Sequence, residues 1–334
     1  MLIENAFHYL PEILSGSNYA AQGYEAGIVN AVSLAVLQEL NARNIPNPLS
    51  SLTVEKLYSK DGFDRPDAKP GKRHLRADLF VDVTRNHVAT EALSRFGWRH
   101  LNFLEAKFFR SGAAPSTTNA ALLLGDLIRL CCLTPPTVNG WNHFKNQKPS
   151  PCDGKPATDG KYHDICVGRY LLHVYEGDPE ELVGKRSRLW LKELRDASGS
   201  KITLRVGDDK ADTFKKTLSL ALEDLSIEVE ITNRVIAQRK KTGKMHYLCV
   251  LTRIDRFKVT FGDLSWDETE DRDGIESKSG DWRKLQAEVG KHILFDVKQV
   301  DKVEDVAPSE DELESFESSE SSESKSSEGT EPAR

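Results

Sequence analysis

Hydrophobic positions along the first half of this chain switch repeatedly between a helical and an extended period. Over YEAGIVNAVSLAVLQEL, residues 24–40, Val29, Val32 and Val36 recur at helical spacing between Glu25 and Glu39, which predicts a helix halted before Pro46 and Pro48. SLTVEKLYSK (51–60) and HLRADLFVDV (74–83) alternate as strands do, and the Pro- and Gly-rich DGFDRPDAKPGKR between them reads as a loop. A turn and a short helical piece, VATEALSRF, lead to a third strand at LNFLEAKFFR (101–110). NAALLLGDLIRLCCL (119–133) is a long helix stopped by Pro135 and Pro136, and after a polar stretch ICVGRYLLHVYEG (165–177) is a fourth strand. The order is helix, three strands, helix, strand.

Beyond residue 180 the character of the sequence shifts. RLWLKEL and DTFKKTLSLALEDL read as helices around the strand KITLRV. IEVEITNRVIAQ and MHYLCVLTRIDRFKVTF are two long strands joined by RKKTG, a hairpin with a basic tip. An acidic loop, WDETEDRDG, then a helix and HILFDVKQV complete the patterned part, with no internal repeat. This divides the chain into a first domain over 1–180, a smaller α+β module over 181–303 and a tail over 304–334.

Composition changes the picture mainly through that tail. It is rich in Ser and Glu and nearly without apolar groups, so it reads as disordered. It holds 11 of the 52 acids and 2 of the 46 bases, leaving the rest with 44 bases against 41 acids. The patterned part is therefore mildly basic although the whole chain is acidic, and is compatible with a polyanionic partner. Deleting residues 305–334 is expected to leave the melting temperature almost unchanged, because so few apolar groups can make packed contacts. A drop of several degrees on thermal denaturation would contradict this reading.

The five cysteines form no C-x-x-C pair and fit a reducing compartment. Cys152, His163 and Cys166 lack a fourth zinc ligand at regular spacing. No secretory leader opens the sequence, and Asp126 and Arg129 interrupt the longest apolar run, so a cytoplasmic protein with no membrane span is expected.

The candidate chemistry lies in LNFLEAKFFR. Side chains alternate across a strand, so Leu101, Phe103, Glu105, Lys107 and Phe109 share one face, and two charges stand among aromatics. Desolvating them requires partners or a ligand. The pattern [DE]xK occurs eight times in this sequence, but only Glu105/Lys107 and Asp296/Lys298 fall in apolar strands. Upstream of Glu105, Asp78, Phe80 and Asp82 share a face of the second strand, whereas Asp296 follows only the loop acids Asp267 to Asp273.

With these motifs the chain resembles the PD-(D/E)xK, or restriction-endonuclease-like, nucleases. That resemblance implies an αβββαβ core over roughly the first half. It implies Asp78 and Glu105 as metal-binding acids, Lys107 as the catalytic lysine and Glu25 as the helix acid. Ala77 stands where the family signature has Pro, and Asp82 is a rival ligand. Mg²⁺ or Mn²⁺ would take oxygen ligands from Asp78, Glu105 and the Ala106 carbonyl, keeping several waters. The implied substrate is nucleic acid, with DNA the first choice, and the implied setting is bacterial antiphage defence or DNA processing, with a homodimer or a defence-system protein as partner.

Basic residues frame that expectation. Lys69, Lys72, Arg73, His74 and Arg76 run into Asp78, and Arg239, Lys240, Lys241 and Lys244 cluster at the hairpin tip, where they are candidate phosphate contacts. Three plainer readings stay open: Glu105 and Lys107 as a structural same-face pair, the fold as a catalytically silent binding module, and an unrelated α+β fold.

Overall fold

The computed structural model describes residues 1–16, 25–58, 76–83, 98–109, 117–134, 167–176, 201–205, 222, 224–239, 245–268 and 284–290. Residues 1–296 form one compact unit and 297–334 a second, and every described residue belongs to the first. The architecture is mixed α/β.

Two short helices, α1 (Leu2–Ala6) and α2 (Leu10–Gly16), precede the long helix α3 (Glu25–Ala42). The strands β1 (Leu52–Leu57), β2 (Arg76–Asp82) and β3 (Leu101–Phe109) follow, then α4 (Thr117–Cys132) and β4 (Val167–Glu176). The remaining strands are β5 (Lys201–Arg205), β6 (Leu225–Arg239), β7 (Met245–Phe261) and β8 (Leu264–Asp267), and residues 284–290 are helical.

Among the described residues, eight strands form one sheet in the order β1-β2-β3-β4-β7-β6-β5, with β8 paired to β7. Among these described pairs only β3 and β4 run parallel, and the others are antiparallel. A parallel neighbour needs a crossover, and α4 lies on the connection between β3 and β4. Because β7 pairs with β4, the sheet runs across the boundary drawn at 180/181.

Both faces of the central strands β3 and β4 are buried, which accounts for their near-continuous apolar sequences. One face packs Phe80, Phe103, Leu171, Tyr175 and Val250 against Leu123, Leu127 and Ile128 of α4. The opposite face packs Leu79, Leu104, Leu172 and Leu251 against α1 and α3. Within β3, Phe103 and Leu104 thus enter different cores, as side-chain alternation requires.

The helical spacing of Leu2, Ile3, Ala6, Phe7, Leu10 and Leu14 explains the N-terminal helices, and all six are buried. The segment 266–274, expected as an acidic loop, instead begins inside β8. Trp266 is buried there, and Glu268 receives two 2.9 Å hydrogen bonds from the Arg169 guanidinium. Arg169 also donates to the Thr134 hydroxyl at 2.7 Å and lies over the Phe257 ring, so this buried charge is fully engaged. The pieces VATEALSRF and RLWLKEL, the strand HILFDVKQV and the tail lie outside the described residues.

Candidate active site

Strand pairing sets the positions of the predicted acids. β2 and β3 are antiparallel with Leu79 opposite Leu104, so Asp78 stands one step beyond the last ladder pair, level with Glu105. Its Oδ2 accepts a 2.7 Å hydrogen bond from the Ala106 amide, tying it to the middle of the Glu105-Ala106-Lys107 segment. Asp82 lies opposite Leu101, roughly 13 Å along the strand from Asp78 at the usual rise per residue, and the geometry separates the two candidate ligands.

Glu105 points beneath α4 and is only 1% exposed. Its Oε1 accepts from the Tyr58 hydroxyl at 2.5 Å and from Arg129 Nε at 3.1 Å. Its Oε2 is buried with no hydrogen-bond partner among the described residues. An anionic oxygen left without a donor is costly, so this atom marks a place for a ligand or a source of strain.

Lys107 reaches the other way along the same face. Its ammonium donates to both oxygens of Glu25, at 2.8 and 2.9 Å, and lies 3.3 Å from Asp126 Oδ2. That Asp126 oxygen has no aligned hydrogen bond, so charge alone links it to Lys107. Asp126 also pairs with Arg129 through its other oxygen. Two residues of α4, one turn apart, therefore place an acid against Lys107 and a base against Glu105. Glu25 is 40% exposed while Asp126 is almost wholly buried, so the cluster opens to solvent at its Lys107–Glu25 end.

Electrostatics follow from burial and crowding. Burial first, and the Glu105 carboxylate second, push the Asp78 carboxyl up to about 8, against the lowering effect of the Ala106 hydrogen bond. Tyr58 is raised by burial and by Glu105, so it stays a phenol and a donor. Burial alone would lower the Arg129 guanidinium, but Glu105 and Tyr58 outweigh it and hold it above its ordinary value. His173, opposite Lys107 in the β3–β4 register, is depressed by burial to about 3 and stands neutral beside the ammonium. That rules it out as a cation competing for the acids.

The structure thus brings Glu25, Asp78, Glu105, Ala106 and Lys107 together and adds Tyr58, Asp126, Arg129 and His173, which the sequence reading did not assign. The available signal was the Asp126–Arg129 pair one turn apart in an otherwise apolar helix. The nucleic-acid candidates are less visible. Arg76 is exposed and donates to Glu55 at 2.6 Å. Arg239 ends β6, while Lys72, Arg73, Lys240 and Lys241 lie outside the described residues, as do Cys152, His163 and Cys166. Cys131, Cys132 and Cys249 are buried free thiols whose pKa burial raises.

The donor set fits a hard divalent cation. Asp78, Glu105 and the Ala106 carbonyl would offer oxygen donors, in the number that Mg²⁺ commonly takes from protein while retaining water. Among the described residues no three His, Cys, Asp or Glu side chains are grouped to share one ion, so the protein's share would rest on two acids and a carbonyl. Among the described residues, four carboxyl groups (Glu25, Asp78, Glu105, Asp126), of which Asp78 keeps its proton most readily, face the cations Lys107 and Arg129. Compared with known protein families, curated proteins and solved structures, the chain matches none of them.

Proposed function

We propose that this chain is a divalent-metal-dependent nuclease of the restriction-endonuclease-like kind, hydrolysing phosphodiester bonds with DNA as its substrate class. The observation that carries the proposal is the meeting of Asp78 and Glu105 from adjacent strands, with a buried Glu105 oxygen left unpartnered. The order α3-β1-β2-β3-α4-β4, with β3 and β4 parallel, supports the αβββαβ reading.

In this reading Asp78, Glu105 and the Ala106 carbonyl would hold Mg²⁺ or Mn²⁺. The metal, when bound, makes water a better nucleophile near neutral pH and offsets charge on the scissile phosphate. Lys107 directs its ammonium toward the attacking water or a phosphate oxygen, where a fixed positive charge stabilises developing negative charge. Glu25 and Asp126 keep that ammonium in place, and Tyr58 fixes Glu105 through Oε1, leaving Oε2 free.

The test is to incubate the full chain with plasmid, linear duplex, single-stranded DNA and RNA in Mg²⁺, Mn²⁺ or EDTA, beside an E105A/K107A variant. Metal-dependent cleavage lost in the variant is the expected result. Cleavage that persists in the folded variant overturns the assignment. A second reading, a catalytically silent binding module, is favoured by the internal ion pairs that engage Lys107 and Arg129. Binding of Mn²⁺ and nucleic acid with no cleavage under any of these conditions would support it.

A further inference from the structure

α4 brings a permanent positive charge to the acid that the proposed metal site needs most. Arg129 Nε lies 3.1 Å from Glu105 Oε1, and its terminal nitrogen pairs with Asp126. The other nearby cation, Lys107, is held by Glu25 and Asp126. Among the described residues Arg129 is therefore the cation in contact with Glu105, and the second oxygen of that buried carboxylate has no hydrogen-bond donor.

We propose that Arg129 is a positioning residue that acts as a built-in counter-ion. It holds Glu105 in its buried position before a divalent cation arrives and would keep pairing with Oε1 while the carboxylate serves the metal. This rests on the metal-dependent reading above. It assigns Arg129 no contact with substrate. Two opposing consequences of its positive charge follow. Without metal the guanidinium compensates a carboxylate that is otherwise desolvated and unpaired. With metal bound, the same charge repels the incoming cation across a few ångströms of protein, so it weakens metal affinity while keeping the empty site folded.

A role in packing alone predicts something different, since loss of an aliphatic stem and a hydrogen bond destabilises equally with and without metal. The discriminating variants are Arg129→Gln, which keeps a donor and loses the charge, and Arg129→Lys, which keeps the charge. Melting temperature is measured in EDTA and in saturating Mn²⁺, and Mn²⁺ affinity by calorimetry, all on the full chain. R129Q is expected to melt several degrees below wild type in EDTA, to recover most of that loss in Mn²⁺, and to bind Mn²⁺ roughly tenfold more tightly. R129K is expected to track wild type in all three.

An equal loss in EDTA and Mn²⁺, or unchanged or weaker Mn²⁺ binding by R129Q, overturns the counter-ion role while leaving the nuclease reading intact. Failure of wild type itself to bind Mn²⁺ overturns both. Should R129Q not fold in EDTA, the double variant E105Q/R129Q decides. Removing both charges must restore folding if an unpaired Glu105 was the defect, and continued misfolding overturns the proposal.

Discussion

Asp78→Asn is expected to abolish cleavage and, at the same time, to make the metal-free protein more stable at pH 8. The two effects share one cause. Asp78 is largely buried next to Glu105, and its carboxyl is pushed from a usual value near 3.8 up to about 8. The folded state thus holds a proton that the unfolded chain has already released. The contribution to stability is present in full below about pH 4 and is lost as pH rises toward 8, above which it no longer changes. A shift of this size, at about 1.4 kcal/mol per pKa unit, sets an upper bound of roughly 6 kcal/mol. Asparagine keeps an oxygen able to accept the Ala106 amide hydrogen and carries no charge to desolvate, so the variant escapes the loss.

Melting curves in EDTA from pH 5 to pH 8 should therefore show wild type falling behind D78N as pH rises. Mg²⁺ should reverse the order, raising wild type and leaving D78N where it was, because only wild type gains a ligand in the folded state. Asp82→Ala, at the far end of β2, should keep most of the cleavage. Equal loss of cleavage in both variants, with both folded, would move the metal ligand away from Asp78. A D78N protein that gains as much from Mg²⁺ as wild type would show that the metal binds elsewhere.

The residues behind this prediction differ in how readily the sequence exposes them. Glu105 and Lys107 are legible because charge in an apolar strand violates an alternating pattern, and Asp78 because its strand precedes theirs with an acid on one face. Arg129 and Asp126 carry equally strong contacts, yet in a helix two polar residues one turn apart resemble an ordinary solvated stripe. Tyr58 gives no signal, since its role depends on which strand lies beside β1. His173 is one polar residue within LLHVY, and only the β3–β4 register places it beside Lys107.

Sheet order is illegible for a related reason. Alternation reports that a segment is a strand and which residues share a face, but the partner is chosen by contacts distant along the chain. β4 and β7 pair with Tyr170 opposite Arg253, and nothing local in either segment encodes that match. The sequence changes character near residue 180. The sheet nevertheless continues through it.

Lys107→Met is expected to lower the cleavage rate by roughly 10² or more while leaving the fold intact. Methionine preserves an aliphatic stem beside Phe103 and Phe109 and removes the ammonium. The surroundings determine how much stability that costs. Glu25 is 40% exposed and can exchange its partner for water, so its half of the bridge is worth little. Asp126 is almost fully buried, but Arg129 continues to hold its other carboxylate oxygen. The loss should therefore stay near 1 kcal/mol, below the ~3–5 kcal/mol typical when one member of an isolated buried pair is removed. A lysine whose only task is to neutralise Asp126 and Glu25 predicts the reverse: a large fall in melting temperature and unchanged turnover per folded molecule. Cleavage rates normalised to folded protein, measured beside melting curves, separate these outcomes. Full-rate cleavage by a well-folded K107M protein would mean that β3 carries a structural ion cluster and that the chemistry lies elsewhere.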